Sequence, residues 1–194
     1  MGDFDRLPEE QFRKKMRPHA EAIYREHLRV ARIDDLREQG VRVHVLDKEF
    51  GIDTLGTLPS GQWVSIQEKY RSNAFLTGPN RIRPHCPDFT QEFRNAVGTE
   101  HEHDGEYFHL GAQLYFYGWG NSGATAFEAW FILDIPKYKL WVENAGGLAS
   151  VGKLFQNRRC GSASFFAIPI DRLFLAGLIV MSSKWHDAWD FIPF

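Results

Sequence analysis

The chain of 194 residues has only two cysteines, Cys86 and Cys160, which are too few for a disulfide framework or a cysteine-based zinc site. It also lacks a long apolar run, because the longest one, from Leu173 to Met181, is far too short to span a bilayer. The first residues are charged and contain no apolar segment of the kind that a secretory signal requires. The default expectation is therefore a reducing, cytoplasmic location with no membrane partner.

An excess of charge of either sign is also missing, because 25 acidic side chains nearly balance 23 basic ones and leave a formal net charge of −2. Bulk electrostatics therefore does not favour nucleic-acid binding, and such binding would need a local basic patch. The candidate patch is formed by Arg71, Arg81 and Arg83, since guanidinium groups can hold phosphates. An ordinary solvated loop explains the same three residues equally well.

Aromatic side chains, by contrast, are abundant, with 16 Phe, 6 Trp and 6 Tyr in a sequence that is 43% hydrophobic. This composition predicts a globular protein with a β-rich interior, in which aromatic side chains cover the faces of a sheet. The length predicts a single domain over residues 1–194, large enough to bury a sizeable core.

Hydrophobic periodicity predicts a long helix followed mainly by strands. An apolar stripe at helical spacing predicts a helix over residues 8–31, which Pro18 would kink or divide into two pieces. Shorter helices are expected over 34–39, 136–143 and 171–178. Strands are predicted at 41–46, 53–58, 62–70, 88–93, 112–119, 126–135 and 162–168. This order of elements predicts an α+β domain with a central mixed β-sheet flanked by helices.

The most specific chemistry lies in the predicted hairpin from Asp53 to Tyr70. Alternation along the second strand places Gln67 and Lys69 on one face and Glu68 on the other. Cleavage of a phosphodiester needs a carboxylate to hold a divalent cation, and a lysine can orient the attacking water or stabilise the charge that builds on phosphorus. The candidates for these roles are Asp53, Gln67 and Lys69.

Asp53, followed 14 positions later by Gln67-Glu68-Lys69 at the end of an apolar strand, resembles the signature of the PD-(D/E)xK, or restriction-endonuclease-like, nucleases. In that superfamily an acid at the start of one strand and an acid-x-lysine on the next form the active site. The resemblance implies hydrolysis of DNA with Mg²⁺ or Mn²⁺ as cofactor. A stand-alone nuclease domain of this size would suit a phage or mobile element, and duplex cutters of this class often act as homodimers.

The resemblance covers about residues 8–135 and leaves 136–194 as a C-terminal extension. It implies a restriction-endonuclease-like core, in which a helix precedes the hairpin. The strands at 88–93 and 112–119 are then the expected third and fourth strands of that core.

One departure from the signature bears directly on activity, because Gln67 stands where the second acid is expected. An amide oxygen is neutral and holds a hard cation less strongly than a carboxylate does. A bulge that reverses the strand would instead make Glu68 the ligand. The superfamily also often places a glutamate of the first helix near the metal, and the sequence does not choose between Glu21 and Glu26.

Two other readings of the sequence remain open. With Gln67 and a negative net charge, the chain could be a catalytically inactive nucleic-acid-binding or structural module on the same fold. Alternatively, the segment from Glu100 to His109, which contains His-x-His, could hold zinc, although it reads as an exposed polar loop.

Overall fold

A computed structural model describes residues 7–36, 44–76, 87–157 and 162–183. The six α-helices of these ranges are α1 (Leu7–His27), α2 (His44–Phe50), α3 (Glu106–His109), α4 (Ile135–Asn144), α5 (Leu148–Val151) and α6 (Ile170–Leu175), and Asn73–Phe75 form a 3-10 helix. The ten strands are β1 (Arg32–Asp35), β2 (Thr54–Thr57), β3 (Trp63–Ser72), β4 (Asp88–Asn95), β5 (His103–Asp104), β6 (Leu114–Gly120), β7 (Phe127–Asp134), β8 (Lys153–Asn157), β9 (Ala163–Pro169) and β10 (Ile179–Ser182).

The strands form two sheets. Six of them make a mixed sheet in the order β1-β2-β3-β6-β7-β10, in which β3 pairs antiparallel with β2 and parallel with β6. The other sheet is antiparallel throughout, in the order β5-β4-β9-β8. The chain is therefore α+β with a central mixed sheet flanked by helices, as the order of predicted elements indicated.

Helix α1 covers one face of the mixed sheet because its apolar stripe points there. Ala20 and Tyr24 pack with Ile66, Phe116 and other side chains of β3, β6 and β7. Pro18 lies within the helix and is exposed, so the missing amide hydrogen bond falls on the solvent side. Residues 7–27 therefore form a single helix and not the two helical pieces that Pro18 could have produced.

The opposite face of the mixed sheet packs against the second sheet and α4. Phe89 of β4 lies at the centre of this core and makes edge contacts with Tyr115, Tyr117 and Tyr138. Such edge-to-face pairs are the preferred geometry of aromatic rings. The expectation that aromatic side chains cover the sheet faces is therefore confirmed.

The structure corrects two predicted elements in the segment between α1 and β2. Residues 32–35 form strand β1, where a helix over 34–39 was expected, because Arg32 to Asp35 pair with Thr57 to Thr54 of β2. Pairing with a neighbouring strand outweighs the weak helical propensity of so short a segment. Residues 44–46, which were expected in a strand, belong to α2, while 37–43 lie outside the described residues.

A further observation concerns the segment at 88–93, which was expected as the third strand of the core. The segment at 88–93 is a strand, β4, but it pairs with β9 and β5 in the second sheet. The neighbour of β3 in the mixed sheet is β6 instead. The physical reason is that Phe89 packs on the aromatic face of β6, which places β4 above the sheet and not beside β3.

The hairpin itself and the strands β6 and β7 match the predictions to within two or three residues. In the described part of the chain, no helix combines the length and apolar character needed to cross a membrane.

Candidate functional site

Strand β3 presents its polar side chains to two different environments. Glu68 hydrogen-bonds to Arg17 and Tyr24 of α1, whereas Lys69 reaches Glu92 of β4 on the other side of the sheet. The register with β6 is continuous from Ile66 to Ser72, without a bulge. The predicted alternation is confirmed, and the bulge that would have brought Glu68 to the face of Lys69 is absent.

The ammonium group of Lys69 lies between two carboxylates. Its Nζ is 3.5 Å from Oε1 of Glu92 and 3.4 Å from Oε2 of Glu106, and only 14% of its side chain is exposed. Burial acts to lower the pKa of Lys69, but the charges of Glu106 and Glu92 outweigh it and raise the pKa above its ordinary value. Lys69 is therefore a proton donor and a positive charge at neutral pH, and it is not a base.

Glu106, the first residue of α3, is the centre of this polar cluster. Its Oε1 accepts hydrogen bonds from Nε2 of Gln67 at 3.0 Å and from the hydroxyl of Tyr115 at 2.8 Å. Its Oε2 accepts one from Nε2 of Gln91 at 2.9 Å and faces Lys69. A carboxylate thus stands beside Gln67, which has no charge of its own.

Glu92 provides a second carboxylate, and 39% of its side chain is exposed. Lys69 lowers the pKa of Glu92, and this effect outweighs the opposing effect of burial. Glu92 is therefore ionised at neutral pH and open to water. Neither Glu92 nor Glu106 was identified from the sequence, because their approach to Lys69 depends on how β4 and α3 pack.

The cluster opens into a cleft of about 520 Å³ between α1, β3, β4 and α3. Its lining contains five carboxylate residues and two cationic ones. The lining consists of Glu9, Glu10, Phe12, Arg13, Gln67, Glu68, Lys69, Tyr70, Glu92 and Glu106. An excess of negative charge in an open cleft favours the binding of a cation.

Asp53 is completely buried, beside β3 and outside the lining of the cleft. Its Oδ2 accepts a 2.7 Å hydrogen bond from the backbone N–H of Glu68, and its own N–H donates to the carbonyl of Ile66. Asp53, the residue before β2, therefore extends the hydrogen bonding between β2 and β3 through its carboxylate and its backbone N–H.

The two helix glutamates lie elsewhere. Glu21 accepts hydrogen bonds from Arg17 and Arg25 on its own helix, both at 3.2 Å. The side chain of Glu26 is 75% exposed and has His27 as its neighbour. Neither glutamate lines the cleft, so the acid beside Gln67 comes from α3 and not from α1.

Of the three arginines in the expected basic patch, only Arg71 is described. It lies between the two sheets, where it donates to the hydroxyls of Tyr117 at 3.4 Å and Thr90 at 2.9 Å, and it stacks over the ring of Phe75. Arg81 and Arg83 lie outside the described residues.

The histidine-rich segment is exposed to solvent from Glu100 to His103. The side chain of His101 is 81% exposed, and Nδ1 of His103 contacts the carbonyl of His101. Within the ranges that the structure covers, no group of three or more His, Cys, Asp or Glu side chains is arranged to hold a metal ion.

Comparisons of the chain with protein-family models, with curated proteins and with solved structures found no match. The case for a function therefore rests on the cleft.

Proposed function

We propose that the cleft around Lys69 is the active site of a metal-dependent nuclease that hydrolyses DNA phosphodiester bonds. The observation that carries the proposal is the meeting of Gln67, Lys69 and Glu106. The glutamine leaves the sequence signature short of one negative charge, and Glu106 supplies that charge from a different part of the chain. The proposal includes a restriction-endonuclease-like core for α1 and the β2–β3 hairpin.

The side chains at the cleft suit Mg²⁺ or Mn²⁺. Glu106 offers carboxylate oxygens, and hard divalent cations prefer oxygen ligands. Oε1 of Gln67 is buried and has no hydrogen-bond partner among the described residues, which leaves it as a further oxygen donor. A bound cation would polarise a phosphoryl oxygen and lower the pKa of a water molecule.

The protein's own groups then have separate roles. Lys69 remains protonated and donates hydrogen bonds to a non-bridging oxygen of the scissile phosphate, where negative charge increases during attack. Glu92 is ionised and water-accessible, so it accepts the proton of the attacking water as that oxygen bonds to phosphorus. The ester oxygen departs as its bond to phosphorus breaks, and it takes a proton from solvent.

The remaining assignments complete the proposal. Asp53 as a metal ligand stays a prediction, as do the contacts of Arg71, Arg81 and Arg83 with the DNA backbone. Action as a homodimer and an origin in a phage or mobile element also stay predictions.

A specific observation favours a second candidate, a nucleic-acid-binding or structural module without catalysis. Glu106 accepts hydrogen bonds from Gln67, Gln91 and Tyr115 in addition to its contact with Lys69, and Asp53 binds the backbone of β3. Such a network can hold the two sheets together without any catalytic role.

Incubation of the purified protein with plasmid and single-stranded DNA, in Mg²⁺, in Mn²⁺ and in chelator, separates the two candidates. The nuclease proposal predicts cleavage that requires the cation and falls about 100-fold or more in Lys69→Met. Lys137→Met is the matched control, because Lys137 is an exposed lysine paired with Asp134 outside the cleft. DNA binding without cleavage supports a nucleic-acid-binding module, and absence of both overturns the nuclease and the nucleic-acid-binding module and leaves the structural one.

A further inference from the structure

The carboxylate of Glu68 is held by four side chains on the face of β3 that α1 covers. Oε2 accepts hydrogen bonds from Nη1 of Arg17 and from the hydroxyl of Tyr70, both at 2.6 Å. Oε1 accepts from the hydroxyls of Tyr24 at 2.9 Å and Thr54 at 2.8 Å. The donors come from α1, β2 and β3, so Glu68 connects three elements at one buried point.

The backbone of Glu68 is held as well, because its N–H donates to Asp53. Glu68 stands directly between Gln67 and Lys69 in β3. The strand is therefore fixed at this residue through its main chain and its side chain, and the two flanking residues must project to the opposite face. We refer to Glu68 with its donors Arg17, Tyr24, Thr54 and Tyr70 as the Glu68 anchor.

On the opposite face, the contacts of Lys69 leave little tolerance for movement. The distances of 3.4 Å to Glu106 and 3.5 Å to Glu92 exceed the 2.7–2.9 Å or so that is typical of charge-assisted hydrogen bonds. A shift of β3 by a few tenths of an ångström in the wrong direction would separate the ammonium group from one carboxylate.

The Glu68 anchor also connects β3 to α1, two elements that both line the cleft. Arg13 lines the cleft and lies one helical turn before Arg17, which binds Glu68 directly. Arg17 also lies within 3.6 Å of Asp35 and Arg13 within 3.9 Å, which secures the same end of α1 to β1.

We propose that the Glu68 anchor is a positioning device that holds Lys69 between Glu92 and Glu106 from the far side of the sheet. Glu68 is among the residues that line the cleft, but in this proposal its carboxylate is taken up by the four donors, touches no substrate and acts only through β3. The catalytic consequence rests on the proposed nuclease function, whereas the ordering of the Lys69 ammonium group does not.

The double variant Tyr24→Phe/Tyr70→Phe tests the device, because it removes two donors to Glu68 without changing charge or ring packing. Tyr138→Phe is the matched control, since the Tyr138 hydroxyl is buried and has no hydrogen-bond partner among the described residues. Ile132→Val, in the core between α1 and the sheet, is the control for lost stability.

Two readouts are measured on each protein. The first is steady-state cleavage, for which the double variant is expected to lose about tenfold in kcat, with KM changed less than about twofold. The second is the hydrogen-exchange rate of the Lys69 ammonium protons by nitrogen-detected NMR, which needs no substrate and is expected to rise in the double variant alone.

The outcomes separate the two proposals. Unchanged ammonium exchange in the double variant overturns the anchor, even if the wild-type protein cleaves DNA. Equal losses in kcat for Ile132→Val and for the double variant, at equal loss of stability, also overturn it. If the wild-type protein cleaves nothing, the nuclease proposal fails, and the exchange rate alone still decides whether the anchor orders Lys69.

Discussion

The side-chain amide of Gln67 donates a 3.0 Å hydrogen bond to Oε1 of Glu106, although the two residues lie 39 positions apart in the chain. This contact places an acid next to the position at which a glutamine stands where the nuclease signature would have its second acid. Because Lys69 contacts the same carboxylate, the three side chains form one unit. The following predictions are consequences of that unit and of the core that supports it.

Replacing Gln67 with glutamate would place a second carboxylate against Glu106. Two like charges at this distance repel, so one of them takes up a proton or the protein loses stability. In chelator we expect Gln67→Glu to lower the free energy of unfolding by about 1–2 kcal/mol, or Tm by about 2–8 °C. Thermal unfolding with added Mg²⁺ should recover most of this loss. A Tm that is the same with and without Mg²⁺ would argue against a cation at this position.

Removal of the Lys69 charge should destabilise the cluster independently of any catalytic effect. Lys69→Met leaves Glu92 and Glu106 facing each other without their shared cation, at an expected cost of about 1–3 kcal/mol in urea unfolding. Adding Glu92→Gln to Lys69→Met should recover part of that cost, because one of the two charges is then gone. A double-mutant cycle with zero coupling would show that the Lys69–Glu92 contact carries no energy.

Alkaline pH should destabilise the protein through its buried tyrosines. Burial raises the pKa of Tyr24, Tyr70, Tyr115 and Tyr138 well above the ordinary value of 10.0. The stability that these groups contribute is fully present below pH 10 and is lost as the pH rises toward their folded pKa values. The loss is about 1.4 kcal/mol per group for each pH unit in that window.

Ultraviolet absorbance of tyrosinate, followed together with unfolding, checks this. We expect these four tyrosines to stay neutral above pH 10 until the chain unfolds. Their ionisation at ordinary pKa values in the folded protein would contradict the observed burial.

Gly118 of β6 tests the packing of the core between α1 and the mixed sheet. A Cβ at Gly118 would lie 2.5 Å from Cε1 of Phe127 and 2.9 Å from Cε1 of Phe116. Gly118→Ala should therefore cost about 1–3 kcal/mol of stability in urea unfolding. Gly123→Ala is the control, since the nearest atom to its Cβ would be 3.6 Å away, and it should leave stability unchanged.

Much of the fold could be predicted because several elements have strong periodicity of their own. Helix α1 and strands β3, β6 and β7 are long and have clear apolar patterns, so local sequence was sufficient. By contrast, β1, β8 and β10 have four or five residues each and lie at sheet edges, where β1 and β10 pair with strands distant in sequence and β8 pairs with the next strand, β9. Such short edge strands have too few residues for a readable pattern.

The site could be predicted only in part, for a related reason. Alternation along β3 correctly placed Gln67 and Lys69 on one face and Glu68 on the other. The approach of Glu106 depends on the packing of β4, β6 and α3, and no spacing in the sequence connects it with Gln67. The pairing of Glu68 with Arg17, 51 positions away, was hidden for the same reason.

The most direct test of the central claim moves the acid from one residue to the other. Glu106→Gln should abolish metal-dependent DNA cleavage, because the carboxylate that contacts both Gln67 and Lys69 is lost. The exchange variant Gln67→Glu/Glu106→Gln keeps the net charge and reverses the donor and the acceptor of the hydrogen bond between the two residues, and it places the acid where the nuclease signature has it. The account predicts that this variant recovers at least about a tenth of wild-type activity in Mg²⁺. Full activity in Glu106→Gln alone, or no recovery in a folded exchange variant, would contradict it.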